Sequence, residues 1–437
     1  MIKVVKFGGS SVASSEQFKK IKGIIESDDS RRIVVVSALG KRFGRDNKIT
    51  DLLYLLSEHI KYGVDYSNIF TLIANRYEEI RNELDLPIDI SKEFDKIKEN
   101  IKAGTNQQYI VSRGEYLCGK LMAAYLGYTF VDAADVVFFN YDGTLDEEKT
   151  ADAVRTAFAK YNKIVVPGFY GAFPTGEVKL FSRGGSDITG SIMAMAVNAK
   201  LYENWTDVSG LLMADPRIVK DPIGVEEITY DELRELSYMG ASVLHEETIS
   251  PIRELDIPIN ILNTNRPQDK GTFILKESTK TDNIITGIAG KKNYKAITVF
   301  KSIAADKLAV LKGALDVCSS FNVSVEYMTS AIDSFVLVAE AKALDKSMFD
   351  VISELKKIKG VAKIDVDNDL ALIAVVGRNM ALKPGISGKI FSIFGEKGIN
   401  IKTISQGPQE INIMVGVGNA DFEKAINTVY SGFLSVK

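Results

Sequence analysis

Short β-branched runs alternate with amphipathic helical patterns from the N-terminus to about residue 290, and this alternation restricts the fold more than any other feature of the chain. The apolar positions Ile2, Val4 and Val5 open it, and Arg32 to Ala38, Ile164 to Phe169, Leu201 to Thr206 and Ile257 to Leu262 continue it. Near-continuous runs of Val and Ile suit strands that are covered on both faces. Between them lie patterns such as Ser15 to Glu26. Another is Ser91 to Ala103, with Phe94, Ile97 and Ile101 on one face, a serine at its start and Gly104 at its end. The Lys and Glu residues of that second helix read as a solvated face. Strands separated by helices predict a largely parallel sheet in a three-layer α/β/α domain over residues 1–290.

About residue 291 the texture changes. Val323-Ser324-Val325 and Phe335-Val336-Leu337 recur 76 residues later as Ile399-Asn400-Ile401 and Ile411-Asn412-Ile413. Helical patterns precede the two pairs, at Asp306 to Phe321 and Ser387 to Lys397, and others follow, at Asp345 to Lys359 and Asp421 to Tyr430. Order, spacing and hydrophobic phase agree. Residues 291–437 therefore read as two tandem units, about 296–368 and 369–437, each a ferredoxin-like βαββαβ plait.

Composition narrows the chemistry. A chain of 437 residues is too long for one ordinary core, and its 46% hydrophobic and 25% charged content is that of a globular protein. A net charge of −3 offers no basic face for nucleic acid. No apolar run reaches the length of a membrane span, and the first residues read as a strand rather than a signal peptide. Cys118 and Cys318 are the two cysteines, far apart, which disfavours a disulfide framework or a cysteine zinc site and fits a reducing cytoplasm. The two histidines are His59, among Leu52, Leu53, Leu56 and Ile60 in a helical pattern, and His245. Metallohydrolase and Ser–His chemistry are thereby disfavoured. Carboxylates, hydroxyls, backbone N–H groups and cations remain.

Four clusters hold such groups. Lys6-Phe7-Gly8-Gly9-Ser10-Ser11 lies between a strand and a helix, where it reads either as a tight turn or as a phosphate cradle with a lysine beside it. Ser182-Arg183-Gly184-Gly185-Ser186-Asp187 opens a helical pattern running from Ile188 to Ala199. Arg183 suits bidentate recognition of a carboxylate or phosphate, whereas Asp187 reads equally as an N-cap. Trp205-Thr206-Asp207-Val208-Ser209-Gly210 and Ala214-Asp215-Pro216-Arg217 leave the C-terminal end of a strand, where open α/β sheets bind ligands, although Asp-Pro is also an ordinary turn signal. In Ser112-Arg113-Gly114-Glu115, the glutamate precedes a helical pattern from Tyr116 to Leu126, a position usual for dipole compensation. No Walker A run is present, since Gly385 to Lys389 has the wrong spacing, and there is neither a Gly-x-Gly-x-x-Gly fingerprint nor the protein-kinase motif set.

Together these clusters resemble the aspartokinases, within the amino-acid-kinase family. The resemblance rests on Lys6 to Val12, Val36-Ser37-Ala38, Arg183 to Asp187, Trp205 to Val208 and Asp215-Pro216-Arg217. In the tail it rests on Ile404-Ser405-Gln406-Gly407 and Glu410 to Ile413, so it spans essentially the whole chain. It implies transfer of the ATP γ-phosphoryl group to the β-carboxylate of L-aspartate, with Mg²⁺, as the first step toward lysine, threonine and methionine. The tail units then look like paired ACT domains that bind lysine or threonine as feedback inhibitors and associate between subunits, giving a homodimer or homotetramer. In that reading Lys6, Arg183 and Asp187 are catalytic, with Lys6 on the transferring phosphoryl and the Gly8, Gly9 and Ser10 N–H groups beneath the phosphates. Arg183 pairs with the substrate α-carboxylate, Glu115 and Asp187 attract its ammonium, and Ser37 and Thr50 line the same pocket. Thr206, Asp207, Asp215 and Arg217 sit on the nucleotide side.

The chain also departs from the family pattern. Leu212 stands where many relatives carry a tyrosine near the nucleotide, and Ser242 where a lysine is common. Val178 to Ser182 replaces a threonine-rich approach, and His245-Glu246 replaces a His-Pro pair. The turn after Phe300 lacks the Pro-Gly found at Pro384-Gly385, so the first effector pocket is expected to be altered or absent. Another amino-acid kinase and a catalytically weak amino-acid sensor are the competing readings.

Overall fold

The computed structural model describes the chain except for residues 102–103, 183, 242–243, 245, 279, 281–282 and 435–437. Two compact bodies emerge: residues 1–211, 224–230 and 243–278 form the first, and 212–223, 231–242 and 279–437 the second.

The chain runs through β1 (Lys3–Phe7), α1 (Ser15–Glu26), β2 (Arg31–Val36), α2 (Ile49–Lys61), α3 (Ser67–Glu83), α4 (Ile90–Asn100) and α5 (Gln107–Leu126). Next come β3 (Thr129–Phe130), α6 (Glu147–Tyr161), β4 (Ile164–Pro167) and a hairpin of β5 (Tyr170–Ala172) and β6 (Val178–Leu180). The body continues with α7 (Gly185–Ala196), β7 (Leu201–Thr206), and a short ladder of β8 (Leu211–Leu212) with β9 (Gly224–Val225). Then come β10 (Glu227–Thr229), α8 (Tyr230–Tyr238), which belongs to the second body from Asp231 on, α9 (Glu246–Arg253), β11 (Ile259–Asn263) and β12 (Thr272–Leu275). Eight strands form one sheet in the order β10-β12-β11-β7-β1-β2-β4-β3. All from β11 to β3 are parallel, and β12 runs against β11.

Strand alternation assigns the faces. Val5 and Phe7 of β1, with Val34 and Val36 opposite them on β2, join a core filled by α1 to α5. Lys6 points to the other face, where α7 packs on β1, β2 and β7 beside α6 and α9. Because β1 has β2 on one side and β7 on the other, the crevice at its C-terminal end is the topological switch point of the sheet, the place where open α/β sheets bind ligands. Helix starts differ from expectation. The Asn106 side chain accepts from the Gln108 N–H and caps α5 there, well before Tyr116. Glu115 is consequently buried in mid-helix rather than compensating a dipole at a helix end.

The second body is built on two long strands, β13 (Gly287–Lys301) and β16 (Val361–Val376). Between them lie α10 (Lys307–Ser320), β14 (Tyr327–Ser330), β15 (Ser334–Glu340), α11 (Ala341–Leu344) and α12 (Met348–Lys357). After them come α13 (Ile386–Glu396), β17 (Thr403–Gln406), β18 (Asn412–Val417) and α14 (Phe422–Leu434). All six strands form one sheet, β14-β15-β13-β16-β18-β17. At 15 and 16 residues and about 3.3 Å per residue, the two central strands are long enough to serve two plaits end to end.

Residues 294–301 of β13 pair with β15 and with the first half of β16, completing one plait. Residues 287–291 pair with 372–376 at the other end, where β18 joins. The ladder shifts register between Lys291 and Tyr294, at the passage from one plait to the other. The second plait therefore takes its fourth strand from before the first plait, so residues 369–437 alone do not complete it. The 76-residue offset persists, relating β14 to β17. The triplets Val323–Val325 and Ile399–Ile401 fall just before those strands instead of in them, with Val323 and Ile399 buried.

Segments from the expected catalytic half also belong to the second body. Met213 O accepts from the Ile288 N–H (2.7 Å), Ile218 O from Asn427 Nδ2 (3.0 Å), and the Ile223 N–H donates to Tyr430 Oη (2.9 Å). The first turn of α8 brings in Glu232, which is fully buried. It accepts from Thr286 Oγ1 (2.6 Å), the Arg378 N–H (2.7 Å) and Arg378 Nη1 (2.9 Å). Removing one partner of a buried ion pair costs about 3–5 kcal/mol. Arg378→Ala is accordingly expected to lower the unfolding free energy of the second body by that order, read as a lower urea midpoint in a fluorescence-monitored urea titration of the full chain.

Candidate active site

Lys6 occupies β1 one residue before its C-terminal end and is nearly buried. Its Nζ lies 2.5 Å from Asp187 Oδ1, in the first turn of α7, and 3.5 Å from Asn204 Oδ1 on β7. Asn204 is the register partner of Lys6, and its Nδ2 donates to the same Asp187 Oδ1 at 2.9 Å. The cap of α7 is not Asp187 but Gly184, held at a left-handed φ of 59°. A Cβ on Gly185 would come within 2.4 Å of the Phe169 ring, so small residues here let the helix start close to the sheet edge and aim Asp187 at Lys6.

The glycine turn after β1 is a four-residue 3₁₀ turn, Gly9–Val12, and α1 starts only at Ser15. The Gly8 N–H is committed to Trp205 O (3.0 Å), and the Ser11 N–H to Gly8 O (2.9 Å). The Gly8 N–H is therefore not available to an anion as expected, whereas the Gly9 and Ser10 amides at the start of the turn have no backbone acceptor among the described residues. The Gly40 N–H donates to Gly9 O (2.8 Å), and a Cβ on Gly40 would meet the Gly9 carbonyl at 2.5 Å. Arg76 of α3 holds this loop from behind. Its guanidinium donates to Gly40 O (2.9 Å), Ala13 O (3.3 Å), Asn47 O (3.3 Å) and Asp46 Oδ2 (3.0 Å). The Arg42 guanidinium, with Arg76 beside it, keeps the Asp46 carboxyl below its ordinary range.

Ser37 extends the β1–β2 pairing, its N–H donating to Phe7 O (3.1 Å), and is half-buried at the sheet edge. Thr50 is half-buried in the first turn of α2, next to Ile49, whose N–H donates to Leu39 O (3.1 Å). Glu115 reaches the loop after β2 from α5. It is 4% exposed, and its Oε2 has no hydrogen-bond partner among the described residues. Burial pushes its carboxyl up to about 8, against the opposing pull of the Ala38 and Glu115 backbone N–H groups and the Arg113 charge.

On the β7 side, Thr206 ends the strand half-buried, its Oγ1 donating to the exposed Asp207 (3.2 Å). Asp215 and Arg217 lie in the second body and pair with each other at 2.6 Å, Asp215 Oδ1 also accepting the Arg217 N–H. Leu212 is exposed there. Arg183, Ser242 and His245 fall outside the described residues. The structure thus gathers Lys6, Asp187, the Gly9–Ser10 turn, Ser37 and Thr206 at the C-terminal edge of the central strands.

Sequence reading passed over Asn204 and Arg76, yet both left a signal. Asn204 is a polar residue inside a buried strand, and Arg76 interrupts the apolar helical stripe of Ile73, Tyr77 and Ile80. No group of three or more His, Cys, Asp or Glu among the described residues is placed to hold a metal ion. No helix among them is long and apolar enough to cross a membrane.

Residues 1–263 match the amino acid kinase family, and residues 373–433 match an ACT domain. Aspartokinase 3 of Bacillus subtilis is 33% identical to the chain over 99% of both proteins. The crystal structure of Clostridium acetobutylicum aspartate kinase superposes with a TM-score of 0.93 at 49% identity, over 99% of each chain. Escherichia coli aspartokinase III, at 25% identity and 99% of this chain, superposes at 0.78 in its complex with aspartate and ADP and at 0.80 in its complex with lysine and aspartate, over 100% and 99% of those chains. The chain belongs to the amino acid kinase family and, within it, to the aspartokinases.

The raised Glu115 carboxyl has a consequence for stability. Between about pH 4.5 and 8 the folded chain holds a proton on Glu115 that the unfolded chain has released. Stability therefore falls across that window, by up to about 1.4 kcal/mol per pH unit. Glu115→Gln is expected to flatten this slope, so that its melting temperature gains on the parent chain from pH 5 to pH 8.

Proposed function

We propose that the chain catalyses transfer of the ATP γ-phosphoryl group to the β-carboxylate of L-aspartate, giving 4-phospho-L-aspartate. The observation that carries the reading is the buried Lys6 beside Asp187 at the switch point of the sheet, next to a glycine turn whose Gly9 and Ser10 amides have no backbone acceptor among the described residues. An aspartate carboxylate is already ionised at neutral pH, so no histidine base is needed to activate it. Catalysis instead suppresses repulsion between two anions and holds them in line.

Lys6 turns its ammonium to the transferring phosphoryl, and the Gly9 and Ser10 N–H groups sit beneath the phosphates. Arg183 takes the α-carboxylate of aspartate, while Asp187 and Glu115 receive its ammonium. An ammonium beside Glu115 favours the carboxylate, so substrate binding releases the proton that burial retains. Ser37 and Thr50 line the acceptor pocket, and Thr206, Asp207, Asp215 and Arg217 serve the nucleotide. Mg²⁺ bound with the nucleotide would supply charge neutralisation on the phosphates. The paired plaits of the second body take lysine or threonine as a feedback inhibitor, with the pocket of the first plait altered or absent, and the chain works as a cytoplasmic homodimer or homotetramer.

Hydroxylamine trapping tests the reaction: an acyl hydroxamate forms only with both ATP and aspartate present, and its absence, or equal yield with glutamate, would overturn the proposal. Lys6→Ala is expected to lower kcat by about 10²–10³-fold with the fold intact, the loss typical for one preorganised electrostatic group. Arg183→Ala is expected to act mainly on the KM for aspartate, and an unchanged value removes it from the acceptor pocket.

A further inference from the structure

Asn204 has a position that the reaction outlined above does not account for. Its side chain is nearly buried on β7, opposite Lys6 in register, and it touches both members of the Lys6–Asp187 pair. The amide oxygen faces the ammonium at 3.5 Å, and the amide nitrogen donates to Asp187 Oδ1 at 2.9 Å. A single carboxylate oxygen thus receives both the Lys6 cation, at 2.5 Å, and the Asn204 amide. Only this orientation of the amide satisfies both neighbours, because an ammonium has donors and no acceptor while a carboxylate has acceptors and no donor.

A lysine held this tightly is not free to meet a phosphoryl group. When its ammonium swings away, a half-buried carboxylate is left with an unmet lone pair, which is costly in a low-dielectric site. The Asn204 Nδ2–H stays on that oxygen, and Asn204 Oδ1 offers the departing ammonium a neutral second acceptor. We propose that Asn204 is a positioning residue that lets Lys6 exchange Asp187 for the transferring phosphoryl group while keeping Asp187 in its orientation. This rests on the reading of Lys6 and Asp187 as parts of the catalytic site.

The full chain with Asn204→Leu, Asn204→Asp, Lys6→Ala and Asp187→Asn tests it, by steady-state hydroxamate kinetics with a thermal melt of each variant. Asn204→Leu is expected to lower kcat by about 10–100-fold, as small misplacements of a catalytic group do, with both KM values within about threefold. Asn204→Asp places a second anion beside Lys6, and its deficit is expected to narrow as pH falls and the added carboxyl takes up a proton. Normal kcat per folded molecule in Asn204→Leu, or a KM effect at constant kcat, overturns the proposal. If the leucine variant does not fold, a deficit of Asn204→Asp that stays constant with pH overturns it instead. Full turnover in Lys6→Ala and Asp187→Asn would bring down the reading of the site itself; their loss with normal Asn204 variants brings down this proposal alone.

Discussion

The contact between Lys6 and Asp187 ties the central strand of the sheet to the first turn of the helix that covers it. Much of the first body is arranged so that this contact can form. Lys6 faces α7 because the residues on either side of it, Val5 and Phe7, are claimed by the core under α1 to α5. Asp187 faces Lys6 because Gly184 adopts a left-handed backbone and Gly185 lets the helix approach Phe169. A charged pair in such surroundings needs further hydrogen bonds, and Asn204 supplies one to the carboxylate.

The same economy governs the loops around the pair. Gly9 and Gly40 approach so closely that neither loop is placed without the other, and Arg76 binds three carbonyls from these two loops behind them. Glu115 is the counterexample, a carboxyl oxygen buried with no hydrogen-bond partner among the described residues. Desolvation disfavours the charged form of such a buried acid and holds the proton on it.

The regulatory half shows a different economy. Two long central strands give both plaits their middle, so the plaits share one sheet. Residues 212–223, which follow the Trp205-Thr206-Asp207-Val208 motif directly, are fixed by Ile288, Asn427 and Tyr430 of the same body. Asp215 and Arg217 therefore sit on a segment anchored by the last helix of the chain.

Much of this was legible in residue order. Strand and helix periods marked the parallel sheet, the 76-residue repeat marked the two plaits, and the glycine clusters with Lys6 and Asp187 marked the switch-point edge. These are local signals, set by backbone sterics and by the burial of one face, and they survive without knowledge of neighbours. What the sequence did not disclose depends on contacts between distant segments. The start of α5, and with it the burial of Glu115, turned on a single cap at Asn106. That Gly8 spends its N–H on Trp205, that Asn204 meets both charges, and that residues 287–291 complete the second plait follow from strand pairings spanning many residues. Period and propensity say which face a residue takes; only the folded sheet decides which residue it finds there.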